Sequence, residues 1–332
     1  MQETLQKNLR DTVFDAIGYT PEQKALIVFD RLSPFTTMVT EAYRSALPGA
    51  KEICFEEVTP GDIRGAIDQL APRDLVILIQ SGSFRLNEFR FRLELFNRQL
   101  AVIEHPHLGR IPESEWQTYV DAMAYDKDYY RTAGPKLKAM IDGATQIIVK
   151  SGDATLTYDA PFESAKLNIG DYTGMKNIGG QFPIGEVFTE PSDLANVNGE
   201  VDLFAFGNEQ FQVVIPEKPV RVVIKNGLIV DAPNAPPEFQ AILDQIKAEE
   251  PLWVRELGFG LNRAMSKSRI LTDIGSYERM CGVHLSLGQK HTIYSKPGFP
   301  KRTSHYHVDV FVDVTSVTID GQTIYQNGTY LI

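Results

Sequence analysis

Apolar runs alternate with segments of helical periodicity in the first half of the chain. Ala25–Phe29 and Leu75–Ile79 are five-residue apolar runs, typical of strands buried on both faces of a parallel sheet. Further strands are expected over residues 52–55 and 101–103. The helical pattern predicts helices over residues 36–46, 61–70, 86–100, 113–124 and 126–141. This β-α alternation predicts a parallel sheet covered by helices.

The pattern changes near residue 145, where short β-branched runs replace the helices. Strands are expected over 147–149, 154–158 and 220–224, and a helix over 237–248, where proline suits the first turn. The tail alternates apolar and polar residues around Asp320-Gly321 and Asn327-Gly328, dipeptides that favour two-residue hairpin turns. The sequence therefore predicts an α/β domain over residues 1–143, followed by an α+β, β-rich domain over residues 144–332.

Composition excludes several classes of protein. The 33 basic and 43 acidic residues give a formal charge of −10, which disfavours a nucleic-acid partner. No apolar run approaches the roughly 18 residues of a membrane span, and the N-terminus lacks the apolar stretch of a signal peptide. The two cysteines, Cys54 and Cys281, argue against a disulfide framework and fit a reducing cytoplasm.

Candidate chemistry is concentrated in the histidines of the second half. Four of the six, His284, His291, His305 and His307, lie within 24 residues of one another, whereas Walker, G-x-S-x-G, H-E-x-x-H and C-x-x-C signatures are missing. His307 and Asp309 are two residues apart in a strand pattern and therefore point to the same face. Nitrogen and oxygen ligands suit zinc, cobalt, manganese or iron(II). The alternative is a strand with two polar residues facing water.

Two glutamates and a further histidine are placed among apolar residues. Glu186 and Glu256 each lie beside glycines and apolar neighbours, and a buried carboxylate requires a partner. That partner is either a bound cation or an arginine such as Arg255 or Arg263. His284 lies in an alternating run, and taken by itself it is interpreted as a buried structural histidine.

Taken together, these segments resemble a known family. The order of the motifs is that of the M29 metallo-aminopeptidases: Gly185-Glu186-Val187-Phe188-Thr189 with Pro191, Glu256-Leu257-Gly258-x-Gly260 with Asn262, His284-Leu285-x-Leu287-Gly288, and Ser304-x-x-His307-x-Asp309. The resemblance covers about residue 174 to the C-terminus. The first half is similar to the family only in its general α/β character.

The resemblance implies a two-metal hydrolase. Its metal ligands would be Glu186, Glu256, His284, His307 and Asp309, holding two divalent ions (Zn, Co, Mn or Mg). Two such ions about 3.5–4 Å apart activate a water and clamp both oxygens of a tetrahedral intermediate. The implied reaction removes N-terminal residues from peptides, and the family's dimers imply a homodimer.

Three further residues are carried over as catalytic candidates. The family places an oxyanion-stabilising tyrosine seven residues after the motif histidine, and His291 occupies that position here. Tyr294 lies nearby and is the substitute if the loop shifts. The family also has a glutamate shortly before the motif histidine, for which Glu278 is the nearest residue, at a different offset.

A second resemblance competes with the first. The 2,5-dihydroxypyridine 5,6-dioxygenases have a similar scaffold, similar length and the final His-x-Asp, preceded by a stretch resembling Lys301-Arg302-Thr303. They open an aromatic ring with one iron(II), whose site leaves positions for substrate and O₂. They lack counterparts of Glu186 and His284 and carry a histidine in place of Glu256, so the ligand set here favours the hydrolase.

Overall fold

The computed structural model describes residues 1–86, 89–288, 294 and 307–332. The chain divides into two compact units. The first comprises Met1–Arg131, Gly170–Ile184 and Leu271–Asp273, and the second comprises Thr132–Ile169, Gly185–Ile270 and Ile274–Ile332. The domain boundary near residue 143 stays a prediction. None of the described helices is long and apolar enough to cross a membrane.

The helices and strands are numbered in chain order. The α-helices of the described residues are α1 (Gln2–Asp11), α2 (Pro34–Ala46), α3 (Pro60–Ile67), α4 (Phe91–Asn97), α5 (Trp116–Ala122), α6 (Lys127–Asp142), α7 (Pro237–Glu249) and α8 (Ile274–Tyr277). The strands are β1 (Ala25–Phe29), β2 (Lys51–Cys54), β3 (Leu75–Ile79), β4 (Arg85–Leu86), β5 (Phe89–Arg90), β6 (Ala101–His105), β7 (Gln146–Ser151), β8 (Ala154–Asp159), β9 (Lys166–Asn168), β10 (Ile178–Gln181), β11 (Glu186–Thr189), β12 (Val197–Gly207), β13 (Val213–Val214), β14 (Val220–Lys225), β15 (Leu228–Asp231), β16 (Val254–Gly260), β17 (Gly282–Gly288), β18 (His307–Val312), β19 (Ser316–Ile319), β20 (Gln322–Gln326) and β21 (Thr329–Tyr330).

The first unit is built on a five-stranded parallel sheet in the order β10-β6-β3-β1-β2. The predicted strands at β1 and β3 are confirmed residue for residue, and every residue in both is buried. Their side chains pack into a core that includes Val28, Leu78 and Val102 of the sheet and Phe91 and Leu95 of α4. A parallel sheet with helices is therefore confirmed in this half.

Two features of this unit differ from the sequence-based expectation. The helix predicted over 86–100 is only α4, because residues before it belong to the antiparallel strands β4 and β5 and Gln99 beyond it has φ +58, outside the helical region. The fifth strand, β10, comes from the second half of the sequence. Its segment Ile178-Gly179-Gly180-Gln181 has no β-branched run, and Gly179 is required because a Cβ would lie 1.9 Å from the Val102 carbonyl oxygen.

The second unit contains a 14-stranded sheet, counted over the described residues, in which every pairing between strands is antiparallel. The turns Asp320-Gly321 and Asn327-Gly328 connect neighbouring strands with positive φ at both residues, as the dipeptides predicted. The strands β11, β16, β17 and β18 lie side by side in that order. These four strands carry the five predicted metal ligands.

Candidate metal centre

The register of neighbouring strands places the predicted ligands on one face of the sheet. Glu186 on β11 is paired with Gly260 on β16, and Gly258 on the same strand is paired with His284 on β17. Paired residues on neighbouring strands share a face of the sheet, and so do residues two apart on one strand. Because Gly258 and Gly260 are two apart on β16, Glu186 and His284 project from the same face. Farther along, β17 pairs with β18 so that Ser286, two residues from His284, is opposite Asp309.

Three of the five predicted ligands meet in a buried cluster. Glu186, Glu256 and His284 each offer a ligand atom within 4.8 Å of the others. His284 Nε2 lies 3.3 Å from Glu186 Oε1 and 3.3 Å from Glu256 Oε1, and all three side chains are buried. The cluster therefore offers two carboxylates and one imidazole to a single point.

A glycine makes room for this histidine. A Cβ at Gly258 would lie 2.1 Å from both Cε1 and Nε2 of the His284 ring. The imidazole therefore lies directly over the backbone of β16, an approach that a side chain at this position would block. This contact gives a physical reason for the Glu-Leu-Gly motif at residues 256–258.

The cluster requires positive charge. Burial acts to lower the pKa of His284, but its contacts with Glu186 and Glu256 outweigh burial and raise this pKa to about 10. Burial acts to raise the pKa of Glu186, and the charges of Arg279 and His284 reverse that shift and lower it. Two carboxylates in a buried setting carry two negative charges, which a protonated His284 and the Arg279 guanidinium beside Glu186 offset when no other cation is present. A divalent ion would supply two positive charges and leave a neutral histidine as its ligand.

The remaining two predicted ligands form a pair on β18. His307 Nε2 lies 3.2 Å from Asp309 Oδ1, with Asp309 buried and the His307 side chain 36 % exposed. The geometry of that contact is not that of a hydrogen bond, and among the described residues Asp309 Oδ1 has no hydrogen-bond donor. Burial acts to raise the pKa of Asp309, but the charge of His307, with smaller contributions from His284 and Arg279, lowers it. The pair is therefore in electrostatic contact with the three-residue cluster.

These donors fit divalent metal ions. Buried carboxylate oxygens and imidazole nitrogens are the ligands that zinc and manganese use. Asp309 Oδ1 is a buried acceptor that receives no hydrogen bond from the part of the chain that the structure describes. Glu186, Glu256 and His284 could hold one ion. His307 and Asp309 supply further donors on the strand beside it.

An arginine that the sequence did not indicate completes the cluster. The Arg279 side chain is buried, and its Nε lies 3.7 Å from Glu186 Oε2. The guanidinium also contacts Glu278 Oε1 and donates to the Gly275 carbonyl. Glu278, a predicted catalytic residue, is thereby linked to Glu186 through Arg279. No motif marked Arg279, which is distinguished only by its place beside a candidate acid.

The other two predicted catalytic residues have different outcomes. His291 lies outside the described residues. Tyr294 is buried, and its hydroxyl lies 3.4 Å from the carbonyl oxygens of Ser164 and Phe188, to which it donates. Burial, followed by the charges of Glu256 and Glu190, raises the pKa of Tyr294. The charge of Glu256 thus acts on the Tyr294 hydroxyl, while the hydroxyl proton is directed to backbone carbonyls.

Comparison with known proteins supports the scaffold. No protein-family model matches the chain, and no curated protein matches it in sequence. A solved structure of 2,5-dihydroxypyridine dioxygenase from Pseudomonas putida KT2440 is similar, with a TM-score of 0.67 and 13 % identity over 100 % of this chain and 98 % of that chain. Wild-type AmpT from Thermus thermophilus, an M29 aminopeptidase T, is similar with a TM-score of 0.59 and 14 % identity over 99 % of each chain. The predicted shared scaffold is confirmed, and it is one that two different enzymes use.

Proposed function

We propose that this chain is a metal-dependent, aminopeptidase-like hydrolase that removes N-terminal residues from peptides. The observation that carries the proposal is the buried meeting of Glu186, Glu256 and His284, whose ligand atoms lie within 4.8 Å of one another. His307 and Asp309 supply further donors on β18. The similarity to AmpT supports the assignment, because that enzyme uses the same scaffold.

The protein's own residues have distinct parts in this proposal. Glu186, Glu256 and Asp309 concentrate negative charge on one dry face of the sheet, where two divalent ions would supply Lewis acidity and an activated water. His307, whose side chain is partly exposed, is proposed as the ligand that faces the incoming peptide. Glu278 is proposed as the general acid-base, with Arg279 holding its carboxylate. His291 is proposed as the donor to the oxyanion, and Tyr294, whose hydroxyl donates to backbone carbonyls, would take that role only if its loop shifts.

The metal content of purified protein is the first test. We expect about two Zn, Co or Mn ions per chain after equilibration with metal, as a two-metal site requires. Asp309→Asn and His307→Ala should each lower the metal content while leaving the circular dichroism spectrum unchanged. The exposed Asp231→Asn on β15 is the matched control and should keep full metal. Full metal in both site variants would contradict the proposal.

Substrate chemistry is the second test. An aminopeptidase requires a free terminal amine, so release of the first residue should occur with an unblocked peptide and cease after N-acetylation. The two peptides differ only in that amine, which makes each the control for the other. Equal cleavage of both would exclude aminopeptidase specificity.

A mononuclear iron(II) ring-cleaving dioxygenase is the second candidate. The observation that favours it is the match over nearly the whole of both chains to 2,5-dihydroxypyridine dioxygenase, together with the His307–Asp309 pair. One iron per chain and O₂ uptake with a dihydroxypyridine would support this candidate over the hydrolase. A homodimer and a cytoplasmic location are further proposals, to be tested by light scattering and by fractionation of cells.

A further inference from the structure

Two loops of the first unit bring a serine and a histidine into contact. The loops follow the neighbouring parallel strands β3 and β6, at the carboxyl edge of the sheet. Ser83 Oγ lies 2.6 Å from His107 Nε2. Ser83 is exposed and the His107 side chain is 25 % exposed, so both are accessible from solvent. In open α/β sheets this edge is where ligands bind.

The two loops are held together by their backbones. His107 N donates to the Gly82 carbonyl at 2.9 Å, Leu108 N donates to the Gln80 carbonyl at 2.9 Å, and Gly109 N donates to the Ser81 carbonyl at 3.2 Å. His107 itself has a left-handed backbone, with φ +59 and ψ +23, which is uncommon for a residue other than glycine. Such conformations cluster at functional sites. The relative position of Ser83 and His107 is therefore fixed before any ligand arrives.

A buried carboxylate faces the other nitrogen of the imidazole. His107 Nδ1 lies 3.4 Å from Asp273 Oδ1, a charge contact without hydrogen-bond geometry, and the Asp273 side chain is only 1 % exposed. Arg110 Nη1 lies 3.7 Å from the same oxygen and places a positive charge beside the carboxylate. A carboxylate at Nδ1 favours the tautomer with its proton on Nδ1. Nε2 is then free to accept the Ser83 hydroxyl proton.

We propose that Ser83, His107 and Asp273 form a second catalytic site, with esterase activity towards small carboxylic esters that have good leaving groups. Ser83 is the nucleophile, His107 is the general base, and Asp273 is a positioning residue that orients the imidazole. The exposure of Ser83 on an open loop suits a small acyl group. This activity is independent of the metal centre, whose residues all belong to the second unit.

The reaction balances with ester and water alone. Ser83 Oγ forms a bond to the ester carbonyl carbon as its proton passes to His107 Nε2. The bond to the leaving alkoxide then breaks, and the alkoxide takes that proton from Nε2. Water attacks the acyl-serine in the same way, passing a proton through His107 back to Ser83 Oγ, and releases the carboxylic acid.

A fluorophosphonate probe tests the nucleophile directly. Its phosphorus should bond to Ser83 Oγ with loss of fluoride, the serine proton passing to His107. We expect one probe per chain, located on Ser83 by peptide mass spectrometry, in protein treated with a chelator. Ser83→Ala should remove the label, and His107→Ala should slow labelling by about 10²–10⁴-fold, the usual contribution of a general base. Added imidazole should restore part of the rate in His107→Ala.

Matched variants separate catalysis from folding. Ser45→Ala, on α2, is the control serine and should label as the wild type does. Asp273→Asn should lower kcat for p-nitrophenyl acetate hydrolysis with little change in KM, which a merely structural role would not produce. Thermal unfolding of each variant should match that of the wild type. Failure of the chelated wild type to label, or equal labelling of wild type and His107→Ala, would overturn the proposal.

Discussion

At the scale of single residues, Gly258 decides whether the His284 imidazole can reach the two glutamates. A Cβ there would overlap the ring at 2.1 Å. We predict that Gly258→Ala displaces His284, lowers metal affinity by about 10–100-fold, as loss of ligand orientation usually does, and costs about 1–3 kcal/mol through overpacking. Metal titration and urea unfolding measure the two effects.

Gly65→Ala on α3 is the matched control for this substitution. A Cβ at Gly65 meets nothing within 4 Å. This variant should keep full metal affinity and gain about 0.5–1 kcal/mol of stability from the higher helix propensity of alanine. Unchanged metal affinity in Gly258→Ala would mean that His284 is not a ligand.

The buried His105 predicts an acid-sensitive stability. Its Nε2 lies 2.6 Å from the Tyr43 hydroxyl and its Nδ1 lies 2.7 Å from the Tyr119 hydroxyl. Burial lowers the pKa of His105 to about 3, whereas an unfolded histidine titrates near about 6.5. Because the unfolded chain binds this proton more readily, His105 favours unfolding as the pH falls from about 6.5 towards 3, by up to about 1.4 kcal/mol per pH unit.

His105→Gln isolates this contribution. Glutamine offers both a donor and an acceptor to the two tyrosines but does not titrate. The free energy of unfolding, measured in urea at about pH 7, 6 and 5, should fall less steeply with decreasing pH in the variant. The slopes of the two proteins should differ by the equivalent of about one bound proton. The measured quantity is the slope of the free energy of unfolding against pH. A loss of stability that is the same at every pH therefore does not affect it. Identical slopes in the two proteins would contradict the assignment.

At the scale of secondary-structure elements, Arg255 ties β16 to the end of β17. Its Nε donates to the Gly288 carbonyl, and its Nη2 lies 2.9 Å from Glu250 Oε2 in a buried ion pair. Arg255→Met removes this cation from Glu250 and should cost about 3–5 kcal/mol. The double variant Arg255→Met with Glu250→Gln should regain most of that loss, because no buried carboxylate remains without its arginine.

An exposed ion pair supplies the comparison for Arg255. Lys7 Nζ lies 2.6 Å from Asp11 Oδ2 on α1, with 74 % of the lysine side chain exposed. Lys7→Met should cost less than about 1 kcal/mol, because solvent screens such pairs. Thermal unfolding of all three variants gives the ranking. A loss for Arg255→Met no larger than that for Lys7→Met would show that the buried pair is not needed to hold β16.

At the scale of the whole molecule, the parallel sheet depends on a strand from beyond its own half of the sequence. A fragment of residues 1–143 lacks β10 and therefore leaves β6 as an unpaired edge. Exposed edges favour association between chains. We predict that this fragment aggregates and unfolds without a cooperative transition, whereas residues 1–184 remain more soluble. Size-exclusion chromatography and thermal melts compare them, and a cooperative, monomeric 1–143 would contradict the prediction.

The sequence by itself determined the local elements and indicated the candidate ligands. The five-residue apolar runs of β1 and β3 predicted two buried strands, and Asp320-Gly321 predicted a hairpin turn. These elements could be predicted because each depends on residues that are close together in the sequence. The spacing of His307 and Asp309 likewise placed both on one face of a strand. Such features need no knowledge of distant parts of the chain.

Only the tertiary structure decided which distant residues meet. Glu186, Glu256 and His284 converge because the registers of β11, β16 and β17 align them, and local periodicity does not record register between strands. Pairing of β10 with β6 likewise depends on packing that its glycine-rich sequence does not signal. The contact of His107 with Asp273 joins residues far apart in sequence. Contacts of this kind follow from the free energy of the whole fold, so no single segment could have predicted them.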